Sequence, residues 1–247
     1  MYDYKESKKI IENILNSSTT VIKKEKTPSS DDAFTYENGI RTCVSALFVD
    51  IVDSSTLFKE ADETTARIMR CFCSEIISIL KDDSNYREIG IRGDCVYAVF
   101  SAYYKNDLVD VFNLAVMINT FMNMLNKLLK NKGFPTIEAG IGLGFDDELV
   151  IKAGKNGSGI NDKIWIGNAL VDAAHLSDKA NRNEIQPIAI SKCFYNNIIE
   201  LLCDSDEKHR DWIKEYKPYY YSTTEFYHCN IVYKDFNNWI KNNFNEE

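Results

Sequence analysis

Hydrophobic positions divide the chain into a short leading stretch, a long middle and an aromatic end. Ile10, Ile11, Ile14 and Leu15 recur at helical spacing and predict an amphipathic helix over Lys5 to Asn16. Ser17 to Arg41 is rich in Ser, Thr, Lys and Asp and holds Pro28, which reads as a linker or arm outside the core. From Cys43 the apolar runs switch between period 2 and period 3.6. They predict a strand at 43–49, a helix over about 55–80, strands at 86–92 and 95–101, a helix over about 107–130 and a strand at 136–144. That order is the split βαββαβ unit of ferredoxin-like α+β folds. Phe112, Ala115, Val116, Ile118, Phe121, Met122 and Leu125 line one side of the second long helix as core, and Gly133-Phe134-Pro135 marks its end. Helices on one face of such a sheet leave the other open to a ligand or a second subunit. After Ser191, Phe194, Ile198, Ile199 and Leu202 predict a further helix through Leu202.

The end of the chain concentrates aromatics, from Trp212, Tyr216, Tyr219, Tyr220 and Tyr221 to Phe226, Tyr227, Tyr233, Phe236 and Trp239. Bases are sparse there and acids intervene, which favours core extension or subunit contact over stacking on nucleobases. A strand near 219–232 and a last helix near 233–243 are expected. The chain then divides into an N-terminal helix and linker at 1–41, a main domain at 42–202 and an extension packed on it at 203–247.

Composition narrows the partners. A chain of 247 residues, 45% hydrophobic, buries a substantial core as one domain with additions. A net charge of −8 argues against nucleic acid bound by broad phosphate neutralisation, while leaving room for a local basic groove for one nucleotide. Seven cysteines without a Cys-x-x-Cys pair point to a reducing compartment, and Cys71 and Cys73 read as helix packing. The first residues lack an apolar signal core, and no run approaches the ~20 apolar residues of a membrane span. A cytoplasmic protein without membrane contact is expected.

Chemistry centres on Leu47-Phe48-Val49-Asp50-Ile51-Val52-Asp53-Ser54-Ser55-Thr56, which reads as strand, acidic turn and helix start. Asp53, Ser54 and Ser55 are helix-capping types, and free amides at a helix start invite phosphate. Asp50 at the strand tip suits Mg²⁺ held between carboxylate and phosphate oxygens. The plainer alternative is an Asp that caps a helix. A second carboxylate follows in Arg87-Glu88-Ile89-Gly90-Ile91-Arg92-Gly93-Asp94, where a Gly-Asp turn displays Asp94 at a hairpin tip. With that hairpin beside the first strand, Asp50 and Asp94 reach one pair of divalent ions, the arrangement used for displacement at phosphorus. Gly154-Lys155-Asn156-Gly157-Ser158-Gly159 lacks the Gly-Lys-Ser/Thr ending of a Walker motif and reads as a flexible loop. The Asp-Ile-Val-Asp spacing at 50–53 rules against the haloacid-dehalogenase type of phosphatase, which uses Asp-x-Asp, and no Gly-Gly-Asp/Glu-Glu-Phe signature is present.

Taken in this order and spacing, these motifs resemble the catalytic core of the class III nucleotidyl cyclases. The resemblance covers roughly residues 41 to 200. It continues through Ala139-Gly140-Ile141-Gly142-Leu143-Gly144 and Glu148-Leu149-Val150-Ile151-Lys152-Ala153-Gly154, similar to the family's second hairpin. It then reaches Ile166-Gly167-Asn168-Ala169-Leu170-Val171-Asp172-Ala173-Ala174-His175-Leu176, similar to its late Gly-Asp/Asn-x-Val-Asn-x-Ala-x-Arg helix. The resemblance implies two Mg²⁺ or Mn²⁺ ions held at Asp50, Ile51 and Asp94. It also implies β- and γ-phosphates bound around Ile51, Asp53, Ser54 and Ser55, and a two-fold homodimer in which the metal carboxylates and the late helix of one site come from different chains.

The pattern departs from the purine cyclases. Their base-reading positions match Gly90 and Ile164, which carry no hydrogen-bonding side chain, leaving Arg92 and Trp165 as candidate base contacts. Arg92 may equally pair with an acid and Trp165 equally be core. The transition-state Asn and Arg match Val171 and His175, so Asp172 or Asn168 and the cationic Lys179 are candidate substitutes. With Trp165 before Gly167, the chain looks like the pyrimidine cyclases of the Pycsar anti-phage system. That likeness implies cyclic UMP or cyclic CMP as product, activation by phage, and a separate effector protein that reads the product. Arg92 donates but cannot accept, which favours the uracil 4-carbonyl over the cytosine amine, and UTP over CTP. The alternatives are a degenerate nucleotide-binding or scaffold protein and a purine cyclase making cyclic AMP.

Overall fold

The structure, a computed structural model, describes residues 1–59, 62–155, 159–218, 223 and 225–244. The first helix, α1 (Tyr4–Asn16), is capped by Asp3, whose carboxylate accepts from the amides of Lys5 and Glu6, and it buries none of its residues. The segment expected as a linker instead joins the sheet. β1 (Thr20–Lys23) pairs in parallel with β2 (Asn38–Ile51), and Phe34 is buried against Ile40 and Val150. Polar composition hides such a strand, because β1 is held by main-chain pairing and leaves all four side chains exposed.

The turn after β2 runs into α2 (Ser54–Leu57), and a separate helix α3 (Glu63–Leu80) restarts from Asp62, which accepts from the Thr65 amide at 2.8 Å. The single helix expected at 55–80 is therefore broken, because this fresh N-cap begins a new helix axis. Ile68, Phe72, Ile76 and Leu80 of α3 recur every four residues and are fully buried. β3 (Tyr86–Arg92) and β4 (Cys95–Ser101) meet at Gly93, whose φ of 63° a glycine adopts without strain. α4 (Lys105–Asn131), expected at about 107–130, is long and apolar enough to cross a membrane by length and composition, against the expectation that no run would be, yet most of its apolar window is buried inside the fold.

β5 (Ala139–Gly154) pairs without a break along β2, from Ile51 opposite Ala139 to Gly39 opposite Ile151. The two halves expected as arms of a hairpin are thus one strand. The hairpin is formed instead by β5 and β6 (Asn161–Ile166). Residues 156–158 of its Gly-rich loop lie outside the described residues. The order β3-β4-β2-β5, antiparallel throughout, is that of the ferredoxin-like split unit.

The rest of the chain widens this sheet. After α5 (Ala169–Lys179), β7 (Ile188–Ser191) adds in parallel to β5 and leads into α6 (Lys192–Ser205) and the short α7 (His209–Trp212). β8 (Lys214–Tyr216) and β9 (Phe226–Cys229) follow, with β9 antiparallel to β7, and α8 (Lys234–Asn243) ends the description. The strand expected near 219–232 is observed at 226–229; Tyr219, Tyr220 and Tyr221 lie outside the described residues. Tyr227 stacks on Tyr195 and Phe226 on Tyr216, so these aromatics extend the core.

One face of the sheet packs against α3, α4 and α6 through Leu47, Val49, Ile51, Ile141 and Leu143. The opposite face, expected open, is partly covered by α5. Gly140, Gly142 and Gly144 point at this helix, and a Cβ on them would stand 2.2, 2.0 and 2.0 Å from the carbonyl oxygens of Ser177, Ala173 and Ala169. Alternate glycines on β5 thus seat α5 directly on the strand backbone.

Candidate active site

Strand alternation puts Phe48 and Asp50 on the α5 face of β2. One step past its last pair with β4, Val49 opposite Val96, the register sets Asp50 against Cys95 and beside the Asp94 turn. The two carboxylates feel each other: burial first and the Asp94 charge second push the Asp50 carboxyl above its usual range, against the Arg182 guanidinium. The same burial and the nearby Asp50 charge push the Cys95 thiol up to about 12. Arg182 was not foreseen from the sequence. Its Nη2 donates to Asp50 Oδ2 at 3.0 Å and to the Ile51 carbonyl at 3.4 Å, and its Nη1 to the carbonyls of Ser177 and Ala180 at 3.1 and 3.2 Å. Asn181 and Asn183, at φ of 56° and 55°, turn the chain on either side of it. Asn is a residue type that tolerates this conformation. From this loop Arg182 reaches a carboxylate 132 positions away in the chain.

Among the described residues no three His, Cys, Asp or Glu side chains gather as a metal cage. Asp50, Asp94 and the Ile51 carbonyl are an all-oxygen donor set, which suits Mg²⁺ or Mn²⁺ completed by water and phosphate oxygens. One Arg182 nitrogen lies within hydrogen-bonding distance of both Asp50 Oδ2 and the Ile51 carbonyl, so these two oxygens already converge on a cation. Next in the chain, the Val52 amide donates to the Glu138 carbonyl at 2.8 Å, which takes it out of any phosphate cradle. Asp53 has a left-handed φ of 53° and its side chain makes no capping bond, contrary to the capping role expected of it. Ser54 is half-buried and Ser55 exposed at the start of α2.

A second cluster lies across β3, β4 and β6. Glu88 accepts from the Tyr97 hydroxyl at 2.6 Å and from Trp165 Nε1 at 2.8 Å. The Tyr97 ring stacks on Phe48, with centroids 5.1 Å apart, and covers Gly90, where a Cβ would stand 2.6 Å from its hydroxyl. Burial, then the Glu88 bond, pushes the Tyr97 phenol up to about 12. Trp165 is half-buried and packs beside Tyr97, while Arg92 is exposed and close enough for its charge to act on the Tyr97 phenol. Glu88, the hub of this cluster, lay within the quoted hairpin motif, but its partners come from other strands.

The remaining candidates follow α5 away from both clusters. Asn168 donates its amide and its Nδ2 to Asp146 Oδ2 at 3.1 and 2.8 Å. Asp172, His175 and Lys179 line a cavity of about 570 Å³ with Lys192 and Glu225. Burial and the neighbouring Asp146 raise the Asp172 carboxyl, which His175 opposes. Lys179 pairs with Glu225 and lies 5.3 Å from the centre of the Phe226 ring. Val171 is exposed on the outer side of the helix. Within one chain, therefore, Asp172, His175 and Lys179 do not share the Asp50 corner. The start of α5 is held from β5: Glu148, fully buried, accepts from the Ala169 amide at 2.8 Å.

The same architecture occurs in solved cyclases. The adenylyl cyclase CyaB from Pseudomonas aeruginosa superposes with a TM-score of 0.59 over 77% of this chain and 95% of its own, at 18% identity. The fold is that of the class III nucleotidyl cyclases. No family model matches the chain. A protein from Treponema porcinum named uridylate cyclase is 42% identical over 240 residues, 97% of this chain and 81% of its own. Another of that name, from Gulbenkiania mobilis, is 30% identical over 98% of this chain and 97% of its own. The chain belongs to the uridylate cyclase family.

Proposed function

We propose that this protein converts a pyrimidine nucleoside triphosphate to its 3′,5′-cyclic monophosphate, with UTP preferred over CTP. The observation that carries the reading is the meeting of Asp50, Asp94 and the Ile51 carbonyl at one corner of the sheet, in a chain related to uridylate cyclases. In the reaction the 3′-hydroxyl gives up its proton to solvent, its oxygen bonds to the α-phosphorus and the bond to pyrophosphate breaks. Asp50, the Ile51 carbonyl and Asp94 would hold two Mg²⁺ or Mn²⁺ ions, which would activate the attacking hydroxyl and the leaving group. The amides of Asp53 to Ser55 face the β- and γ-phosphates, preorganised by the turn before α2. Tyr97 and Trp165, both bonded to Glu88, narrow the base site at Gly90 and favour the smaller pyrimidine ring. Arg92 donates to the uracil 4-carbonyl. Incubation with each labelled triphosphate and Mn²⁺, followed by identification of the product, tests this. Cyclic CMP alone would overturn the Arg92 assignment, and cyclic AMP the pyrimidine assignment as well.

The separation of Asp172, His175 and Lys179 from Asp50 within one chain supports a two-fold homodimer, with α5 of the second copy completing each site. Mixing Asp50→Ala chains with His175→Ala chains then restores part of the activity through one intact composite site. A fully active monomer in sedimentation would refute this arrangement. The seven free thiols suit a reducing cytoplasm. In the Pycsar-type reading, phage infection starts synthesis and a separate effector protein binds the product. Product that does not rise in phage-challenged cells would contradict it. The exposed Val171 and the Lys179–Glu225 pair favour one competing reading, a nucleotide-binding scaffold. Absence of cyclic product from all four triphosphates would favour it.

A further inference from the structure

The Asp50 corner carries a cation of its own. Asp50 is the next-to-last residue of β2 and its side chain is only 21% exposed, and Arg182 reaches it from the loop after α5 with a side chain 22% exposed. The guanidinium is a rigid planar fork, and here its two terminal nitrogens serve different partners. Nη1 is tied to the carbonyls of Ser177 and Ala180 at the C-terminal end of α5, where the helix dipole favours positive charge. Nη2 is tied to Asp50 Oδ2 and to the Ile51 carbonyl, and the Asp178 carboxylate stands 3.9 Å away. Nη2 occupies Asp50 Oδ2 and the Ile51 carbonyl, two of the oxygens that the metal reading offers to a divalent ion. A guanidinium and a divalent ion compete for them, since like charges at such separation repel strongly in a half-buried site.

We propose that Arg182 is a positioning residue that holds the first metal position: it keeps Asp50 and the Ile51 carbonyl convergent, and a divalent ion enters by exchange with its guanidinium. The proposal rests on the reading of Asp50 as a metal ligand. Binding of the ion then carries the cost of breaking the charge-assisted hydrogen bond to Asp50, the 3.4 Å contact with the Ile51 carbonyl adding little. The protein accordingly takes up divalent ions weakly by themselves, and more readily when a triphosphate brings its own charge to the corner. The bonds to Ser177 and Ala180 keep the displaced guanidinium at the end of α5.

Titration of the full chain with Mn²⁺ alone, following free Mn²⁺ by electron paramagnetic resonance, tests the exchange without any turnover. Arg182→Gln is expected to bind Mn²⁺ about tenfold more tightly than the unaltered chain, the affinity equivalent of one charge-assisted hydrogen bond no longer to be broken. Arg182→Lys keeps the charge but loses the fork, and is expected to fall between the two. It decides the matter if Arg182→Gln fails to fold by circular dichroism. A folded Arg182→Gln, or in its place a folded Arg182→Lys, that binds Mn²⁺ no more tightly than the unaltered chain would overturn the exchange. Asp50→Asn is expected to abolish Mn²⁺ binding; if it leaves binding intact, the metal reading of Asp50 itself is overturned, and the exchange with it.

Discussion

A single methyl group on Gly142 tests how α5 is seated. Its Cβ would stand 2.0 Å from the Ala173 carbonyl oxygen and 2.4 Å from the Ser177 amide nitrogen. Non-bonded heavy atoms settle at about 3.5–4.0 Å, so helix and strand have to separate by roughly 1.5 Å. Both obstructing atoms belong to backbone, and no rotamer change relieves the clash. Overpacking of this kind costs about 1–3 kcal/mol, which in a chain of this size lowers the unfolding midpoint by about 2–12 °C. Circular dichroism during a thermal ramp of Gly142→Ala reads that loss directly. Displacement of α5 also pulls Asn168 from Asp146 and moves Asp172, His175 and Lys179, so cyclic product falls even at temperatures where the variant is folded. An unfolding midpoint equal to that of the unaltered protein would refute the direct seating of α5 on β5.

Other outcomes follow from the same contacts. Asp94→Asn abolishes cyclic product while leaving the unfolding midpoint in place, and unchanged product by chromatography would sink the metal assignment. Glu148→Leu removes the acceptor for the Ala169 amide and costs about 1 kcal/mol in chemical denaturation, as loss of a helix cap does. Glu148→Gln keeps that acceptor and removes a titration. Burial raises the Glu148 carboxyl above 4.5, so its contribution to stability is complete below that value and declines as pH rises through the higher folded value. The unaltered protein should therefore lose stability relative to Glu148→Gln across that rise; parallel pH profiles would contradict the buried carboxyl.

Local pattern made the central sheet legible. The Gly-Asp turn and the β-rich runs around it set β3 and β4 at the bounds read from sequence, because a hairpin is specified by neighbours in the chain. Asp50 and Asp94 were legible for the same reason, each sitting at a strand end inside a short motif. What escaped was held together at a distance. β1 contributes main-chain pairing with no buried side chain, and the two halves of β5 join only because β2 runs unbroken beside them. Arg182 gains its meaning from a strand at the other end of the catalytic core, and Glu88 from a tyrosine on β4 and a tryptophan on β6. The glycines of Ala139 to Gly144 were read as part of a family motif. Their physical role, direct contact with a helix, needed the helix to be placed.

The pairing of Tyr97 with Gly90 bears on how such an enzyme changes its base over evolutionary time. A lysine at position 90, where the purine-cyclase resemblance puts it, would drive its Cβ to 2.5 Å from the Tyr97 ring. The tyrosine as placed needs the bare strand beneath it, and a side chain at 90 needs the ring to move off Glu88 and Phe48 or to give way to a smaller residue. Substitutions at 90 and 97 are therefore coupled through the space above a single glycine.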